Sequence, residues 1–482
     1  MPLRPSLVAA AAAALLSACA VGPDYVRPTL DVPAAYKETG DWKTAQPQPV
    51  ASGPDWWQLW ADPVLDGLER DAAAANQDLA LAEAQYREAQ ALADAARASL
   101  FPTLGLNVGA DRARGKTSTG AVATGNSFST GLAASWEPDL WGSVRRSVEA
   151  GNASAQASAD DLAAARLSVQ ASVAQDYVQL RIVDEQRDLY AATVAAYTKA
   201  LQLTQAQHAA GIVLQSDVAL AESTLAQAQA AAVDLDASRA QLEHAIAVLT
   251  GRAPARFSLA PLPAGQFRML PPPGPAQLPS ALLEHRPDIA AAERRAAAAN
   301  ANIGVAKAAY FPNLTLSASG GFGAAALTNL FDTPSRVWSL GAALAQTVFD
   351  GGLRRAHTAQ AEAAYDAAAA QYKQTVLAGL QQVEDNLANL RLLDQEAGFQ
   401  AQAVRSAQLA ERLALNQYRG GTNSYLNLVT AQALSLSSQR AAVVLRGRQL
   451  AAGITLITAT GGGWSAADPV VPAQAAASAQ PQ

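Results

Sequence analysis

The sequence repeats itself. Asn76-Gln77-Asp78-Leu79 is matched by Arg286-Pro287-Asp288-Ile289, and Glu83 by Glu293. Phe101-Pro102 is matched by Phe311-Pro312, Gly211 by Gly421, and Thr250-Gly251 by Thr460-Gly461. Every pair is 210 residues apart, as Phe101 and Phe311 are. A constant offset over separated landmarks means one structural unit built twice. The copies occupy residues 61–260 and 280–464. The Pro-rich stretch 261–279 between them reads as an extended linker. The small, polar tail 465–482 is expected to be disordered.

Each copy has the order short helix, two strands, long helix, short helix. The first helices are expected over about 64–99 and about 277–309. Phe101-Pro102 and Phe311-Pro312 stop them, because proline cannot continue a helix. The period then switches to two. Leu104, Leu106, Val108 and Ala110 alternate with Thr103, Gly105, Asn107 and Gly109. Phe128, Leu132 and Trp136 alternate with serines, glycine and alanine in the second strand. Leu314 and Leu316, then Trp338, Leu340 and Leu344, repeat the device. The hairpins span about 101–140 and about 311–350. Strands of about ten residues, apolar on one face and small-polar on the other, fit a membrane β-barrel.

Long proline-free runs follow each hairpin, from Gly142 to about His208 and from Gly352 to about Tyr418. As helices each measures about 100 Å. Val173, Tyr177 and Leu180 form an apolar stripe, and Val383, Leu387 and Leu390 stand 210 residues later, a coiled-coil-like packing pattern. Turns at Gly211 and Gly420-Gly421 reverse the chain. Returning helices run about 212–250 and about 422–459. Four strands per chain cannot close a barrel, since the smallest membrane barrels have about eight. Open strand edges are not tolerated in lipid. Two hairpins per chain therefore demand an oligomer.

The N-terminus reads as an export signal. Residues 1–18 carry Arg4, an apolar run from Leu7 to Leu16, and small residues before Cys19. The apolar run is shorter than the roughly 20 residues of a membrane-spanning helix. Cys19 is the single cysteine of the 482 residues, which excludes a disulfide framework and Cys-rich metal sites. The four histidines (His208, His244, His285, His357) show no metal-ligand spacing. Hydrophobic residues make up 50% and charged residues 16%, with a net charge of −6, which argues against disorder and against a nucleic-acid footprint. No nucleophile elbow, phosphate loop or paired-carboxylate site is found, so no enzyme activity is expected.

Taken together, the residues resemble the outer-membrane factor family, the TolC-like exit ducts of efflux pumps and type I secretion systems. The lipidated OprM/NodT-like branch fits best. The resemblance rests on Leu16-Ser17-Ala18-Cys19 with Gly22-Pro23-Asp24-Tyr25, Trp56-Trp57, Asp62-Pro63 and Trp136-Glu137-Pro138-Asp139-Leu140-Trp141-Gly142. It rests also on Arg286-Pro287-Asp288-Ile289, Phe349-Asp350-Gly351-Gly352, Tyr418-Arg419-Gly420-Gly421 and Gly461-Gly462-Gly463-Trp464. It covers essentially the whole mature chain.

This resemblance implies a mainly α chain with membrane β. It implies a homotrimer whose 12-stranded β-barrel, four strands per chain, continues into a long periplasmic α-helical barrel. Cys19 is expected to carry covalent lipid, anchoring a segment 19–60 at the bacterial outer membrane. No other cofactor and no metal are expected. The expected partners are a periplasmic adaptor, an inner-membrane pump and outer-membrane lipid. The helical tips, His208–Glu222 and Tyr418–Gln432, would dock the adaptor through Gly211, Asp217, Val218, Gly421, Asn427 and Leu428. The periplasmic gate would use Tyr418, Arg419, Leu426, Asn427 and Thr430. Relatives often have aspartates where Asn427 and Thr430 stand, so an acidic constriction is not expected. Asp217 also reads as a helix-start carboxylate. The implied function is export of drugs or other small toxic solutes. A type I protein-secretion duct and a coiled-coil surface stalk are the alternatives.

Overall fold

The computed structural model describes residues 20–31, 33, 35–39, 55–116, 120, 122–262, 265–270 and 285–465. The expected signal 1–18, Cys19, part of the linker and the tail beyond residue 465 lie outside the described residues. Among the described residues, seven α-helices and four strands fall into two series. The first series is α1 (Pro63–Ala75), α2 (Gln77–Ala98), β1 (Thr103–Lys116), β2 (Val122–Trp136), α3 (Ser143–Ala209) and α4 (Gln215–Leu249). The second is α5 (Pro287–Ala308), β3 (Asn313–Ala324), β4 (Arg336–Ala345), α6 (Leu353–Arg419) and α7 (Tyr425–Ala459). Among the described residues, no helix is long and apolar enough to cross a membrane.

The chain divides into two compact units. The first comprises residues 1–29, 85–159 and 291–373. Its centre is an antiparallel sheet in the order β1-β2-β3-β4. Leu106 pairs with Leu132, Leu132 with Gly320, and Gly320 with Trp338. The side-chain period of two and this register put all the even-numbered strand residues on one face. That face is apolar from Leu104 to Ala110 on β1 and from Leu314 to Ala324 on β3. The odd-numbered face carries Ser, Thr, Asn, Gly and Ala almost throughout. Leu104, Leu106, Val108, Trp338, Leu340 and Leu344 are all exposed, so no element among the described residues covers this part of the apolar face. β1 and β4 each have one unpaired edge.

The helical parts of this unit pack through small residues. Ala153, Ala297 and Ala298 form a buried cluster with Tyr25 against it. Small side chains let helices approach closely. An N-terminal arm is tied to these helices. The Val21 N–H donates to the Trp141 carbonyl (3.0 Å), and Asn300 donates to the Pro23 carbonyl (3.0 Å). Arg146 donates to Asp24 at 2.7 Å. A Cβ on Gly22 would lie 2.4 Å from the Gly304 Cα, so the arm and α5 touch backbone to backbone.

The second unit comprises residues 30–84, 160–290 and 374–482. Its main core gathers Trp56, Trp57, Leu65, Leu68, Val173, Tyr177, Leu180, Ile246, Leu450 and Ile454. Val383, Leu387 and Leu390 form the second core with Tyr36, Leu445 and Leu456. Both stripes seen in the sequence are thus buried.

One expectation is corrected here. The first helix is not continuous over 64–99: it breaks at Asn76, whose backbone is extended (φ −66°, ψ 131°). The Asn76 side chain accepts the Asp78 and Leu79 N–H groups, capping α2, and donates to the Leu249 carbonyl at the end of α4 (2.9 Å). In the second copy α5 begins at Pro287 after a break at Arg286, with His285 helical before it; the expected start near 277 lies outside the described residues. Arg286, the Asn76 equivalent, donates to the Ala459 carbonyl at the end of α7 (2.9 Å). In the described part of the linker, Phe267 and Met269 are buried in the main core. Its carbonyls accept from Arg446 at Phe267 and from Trp60 at Leu270 (2.9 Å), and just before it the Ala260 carbonyl accepts from Arg181 (2.8 Å).

The repeated Thr-Gly pair has the same cause in both copies. Thr250 and Thr460 close the returning helices through their hydroxyls. The glycines that follow take positive φ, +67° at Gly251 and +94° at Gly461. A Cβ there would lie 2.3 Å from the Ala75 carbonyl oxygen and 1.7 Å from that of His285. Only glycine allows this approach.

Candidate functional site

Two regions are exposed without a role inside the chain: the sheet and the helical turns. The turns belong to the second unit. The first joins α3 to α4 through Gly211 (φ +75°), and the second joins α6 to α7 through Gly421 (φ +70°). Each is a tight reversal whose N–H groups return to the preceding helix, Ile212 to Gln207 and Thr422 to Gln417.

The start of the following helix is capped differently in the two copies. Asp217 accepts the Leu214 N–H through its carboxylate (3.2 Å), so its shown work is to close the start of α4. At the matching place Asn427 donates to the Asn423 side chain (2.6 Å), and Ser424 caps α7 by accepting the Asn427 N–H (3.4 Å). Thr430 turns its hydroxyl back onto the Leu426 carbonyl (2.8 Å).

The predicted tip residues separate into two sets. Tyr418, Val218 and Leu428 are buried beneath the turns. Tyr418 meets Tyr425 edge to face with ring centroids 5.7 Å apart and shares a hydrogen bond with Thr204 (2.8 Å). Burial raises the Tyr418 phenol, with the Thr204 hydroxyl opposing it, and burial pushes Tyr425 up to about 12. Both phenols are therefore neutral at physiological pH. Within this chain Tyr418, Val218 and Leu428 pack beneath the turns and support their shape. Arg419, Leu426, Asn427 and Thr430 are exposed, with Leu426 58% accessible. Arg419 is the single charged residue between Tyr418 and Gln432.

One feature of the turns escapes the landmark comparison. Ile212 and Leu214 are 69% and 72% exposed, whereas the matching positions hold Thr422 and Ser424. The first turn thus carries an apolar tip and the second a polar one. The 210-residue offset contains this signal once unlike pairs are compared as well as like ones.

Among the described residues, no group of three or more His, Cys, Asp or Glu side chains could hold a metal ion. What the arrangement offers is a sheet with one lipid-compatible face and one wettable face, and helical turns with exposed ends.

Comparison with known proteins agrees with this division. The family model described as outer membrane efflux protein matches residues 68–252 and 278–462, once in each copy. The pyoverdine export outer membrane protein OpmQ of Pseudomonas aeruginosa is 32% identical over 458 residues, covering 93% of this chain and 95% of its own. The toluene efflux pump outer membrane protein TtgF of Pseudomonas putida is 29% identical over 459 residues, with coverages of 93% and 95%. The outer-membrane channel OprN superposes with a TM-score of 0.85 at 30% identity, covering 92% of this chain and 100% of its own. With matches in both copies and relatives aligned along nearly its whole length, the chain belongs to the outer membrane efflux protein family, whose members are outer-membrane channels and not enzymes.

Proposed function

We propose that this chain is the outer-membrane exit duct of a tripartite efflux pump. Three copies join their four-stranded sheets edge to edge into a 12-stranded barrel. The observation that carries this reading is the sheet: four strands, one apolar face, one small-polar face, and unpaired edges on β1 and β4. Lipid requires those edges to be closed, and further copies of the same sheet close them. The apolar face meets lipid and the small-polar face lines the passage. The helices extend into the periplasm, where their turns meet an adaptor protein that links the duct to an inner-membrane pump.

The lipid anchor is part of the same proposal. The arm that follows Cys19 is bonded to Trp141, between the end of β2 and the start of α3, through the Val21 N–H. Acyl chains on Cys19 would enter the bilayer at the helix end of the barrel, where the polar headgroups begin. The exposed apolar turn of Ile212 and Leu214 supplies adaptor contact. Leu426, with Arg419, Asn427 and Thr430, forms the periplasmic constriction. Tyr418 stiffens it from behind and does not block it. No acidic ring forms at that turn.

OpmQ and TtgF are named for pyoverdine and toluene export. Those names favour small solutes over proteins as cargo. Dye accumulation in cells lacking the chain tests this: accumulation should rise several-fold and fall again when the gene is restored. Unchanged dye accumulation with loss of a secreted protein would select the type I secretion duct instead.

A further inference from the structure

Three cations stand on consecutive even positions of β1. Arg112, Arg114 and Lys116 continue the face that carries Leu104, Leu106, Val108 and Ala110. The register runs without a bulge, from Thr103 opposite Ser135 to Lys116 opposite Val122, so all seven side chains share one face. Arg336, the first residue of β4, lies on it too, being paired with Phe322. All four cations are exposed. The acids of this end of the sheet lie elsewhere: Asp111 on the opposite face and Asp332 in the connection before β4.

Arg336 falls within the span of the three β1 cations. Thr103 and Asn313 are equivalent first residues of a strand after a helix, 210 apart. Yet the row of Thr103 runs through Ser135 to Ser317, four residues beyond Asn313. Rows therefore climb by about two residues per strand, as tilted barrel strands require. Arg336 shares its row with Val108 and lies three strands away. The climb lifts it to the level of Arg114. The collar sits at the end of the sheet away from the helices, immediately beyond the apolar band.

We propose that Arg112, Arg114, Lys116 and Arg336 bind the phosphate headgroups of anionic membrane lipid in the outer leaflet. This rests on the duct reading, which makes the even face the lipid face. Cations on a lipid face are strongly disfavoured at the bilayer midplane and tolerated near its interfaces, so their place marks the headgroup level. A face meant only for solubility mixes both signs, whereas this one is all positive. Guanidinium forks match phosphate oxygens two by two, and lysine adds a point charge.

The test reconstitutes the full-length protein into vesicles of equal parts phosphatidylglycerol and phosphatidylcholine. Gentle detergent extraction and native mass spectrometry then identify the retained lipid. The wild type should keep phosphatidylglycerol over phosphatidylcholine by about fivefold or more, the direction that several basic residues at an anionic surface give. Combining Arg112→Gln, Arg114→Gln, Lys116→Gln and Arg336→Gln should bring the ratio close to one. An Arg112→Lys, Arg114→Lys, Arg336→Lys variant should retain a preference. Equal retention by the wild type, or a preference untouched by the glutamines, overturns the inference. So does loss of the preference in about 50 mM inorganic phosphate, which would make free phosphate the ligand. Bilayer insertion is scored separately by conductance. A wild type that inserts in neither lipid overturns the duct reading itself, and one that conducts without lipid preference overturns only the collar.

Discussion

Glu69 is a buried carboxyl group in the second unit. It is 1% exposed on α1, and neither carboxylate oxygen has a hydrogen-bond partner. Burial, with the Asp55 charge adding to it, pushes its pKa up to about 9. The folded chain therefore holds a proton that the unfolded chain releases near the ordinary glutamate value. Stability from this group is full below that ordinary value and is lost as pH rises, until about pH 9. The loss amounts to about 1.4 kcal/mol per pH unit across the window. Replacing Glu69 by Gln keeps the shape and removes the titration. Helix melting of Glu69→Gln followed by circular dichroism should depend much less on pH between about 5 and 9. Its midpoint should exceed that of the wild type near pH 8. A variant with the wild-type slope would show that Glu69 does not titrate as described.

The elements explain why the repeat reads so clearly. Gly251 and Gly461 each receive a backbone carbonyl where a Cβ would stand, so the same residue is required twice. Gly461→Ala adds a positive-φ strain to a clash with the His285 carbonyl and should destabilise the second unit by about 3 kcal/mol or more. A denaturant midpoint within error of wild type would contradict this. The strands were legible because a period of two leaves a direct trace in which residues are apolar. The break at Asn76 was not, because no proline or glycine marks it and Asn76 acts through a bond to the Leu249 carbonyl far away in sequence. The turns were half legible. Tyr418, Val218 and Leu428 stand at positions that serve equally for packing or for display, and the fold buries all three. Ile212 and Leu214 stand out through exposure, which the sequence does not reveal. Ile212→Ser with Leu214→Ser should leave the helical content and barrel unchanged while abolishing pump-dependent export several-fold, as dye accumulation would show. Export at wild-type level would remove the first turn from the adaptor surface.

For the whole molecule, the sheet imposes the strongest condition. The helices bury their stripes within the chain, and the N-terminal arm is bonded along its length to Trp141, Arg146 and Asn300. The sheet does neither: its apolar face and two edges are left open. On the proposed duct reading a single chain is thus incomplete, and further copies of the sheet complete it. The mass of the native, detergent-extracted particle, measured beside that of the denatured chain, tests this most directly. The account predicts three chains per particle, each beginning at an acylated Cys19. A particle of one chain that retains its β-structure would contradict it, because the edges of β1 and β4 would then stand open in lipid.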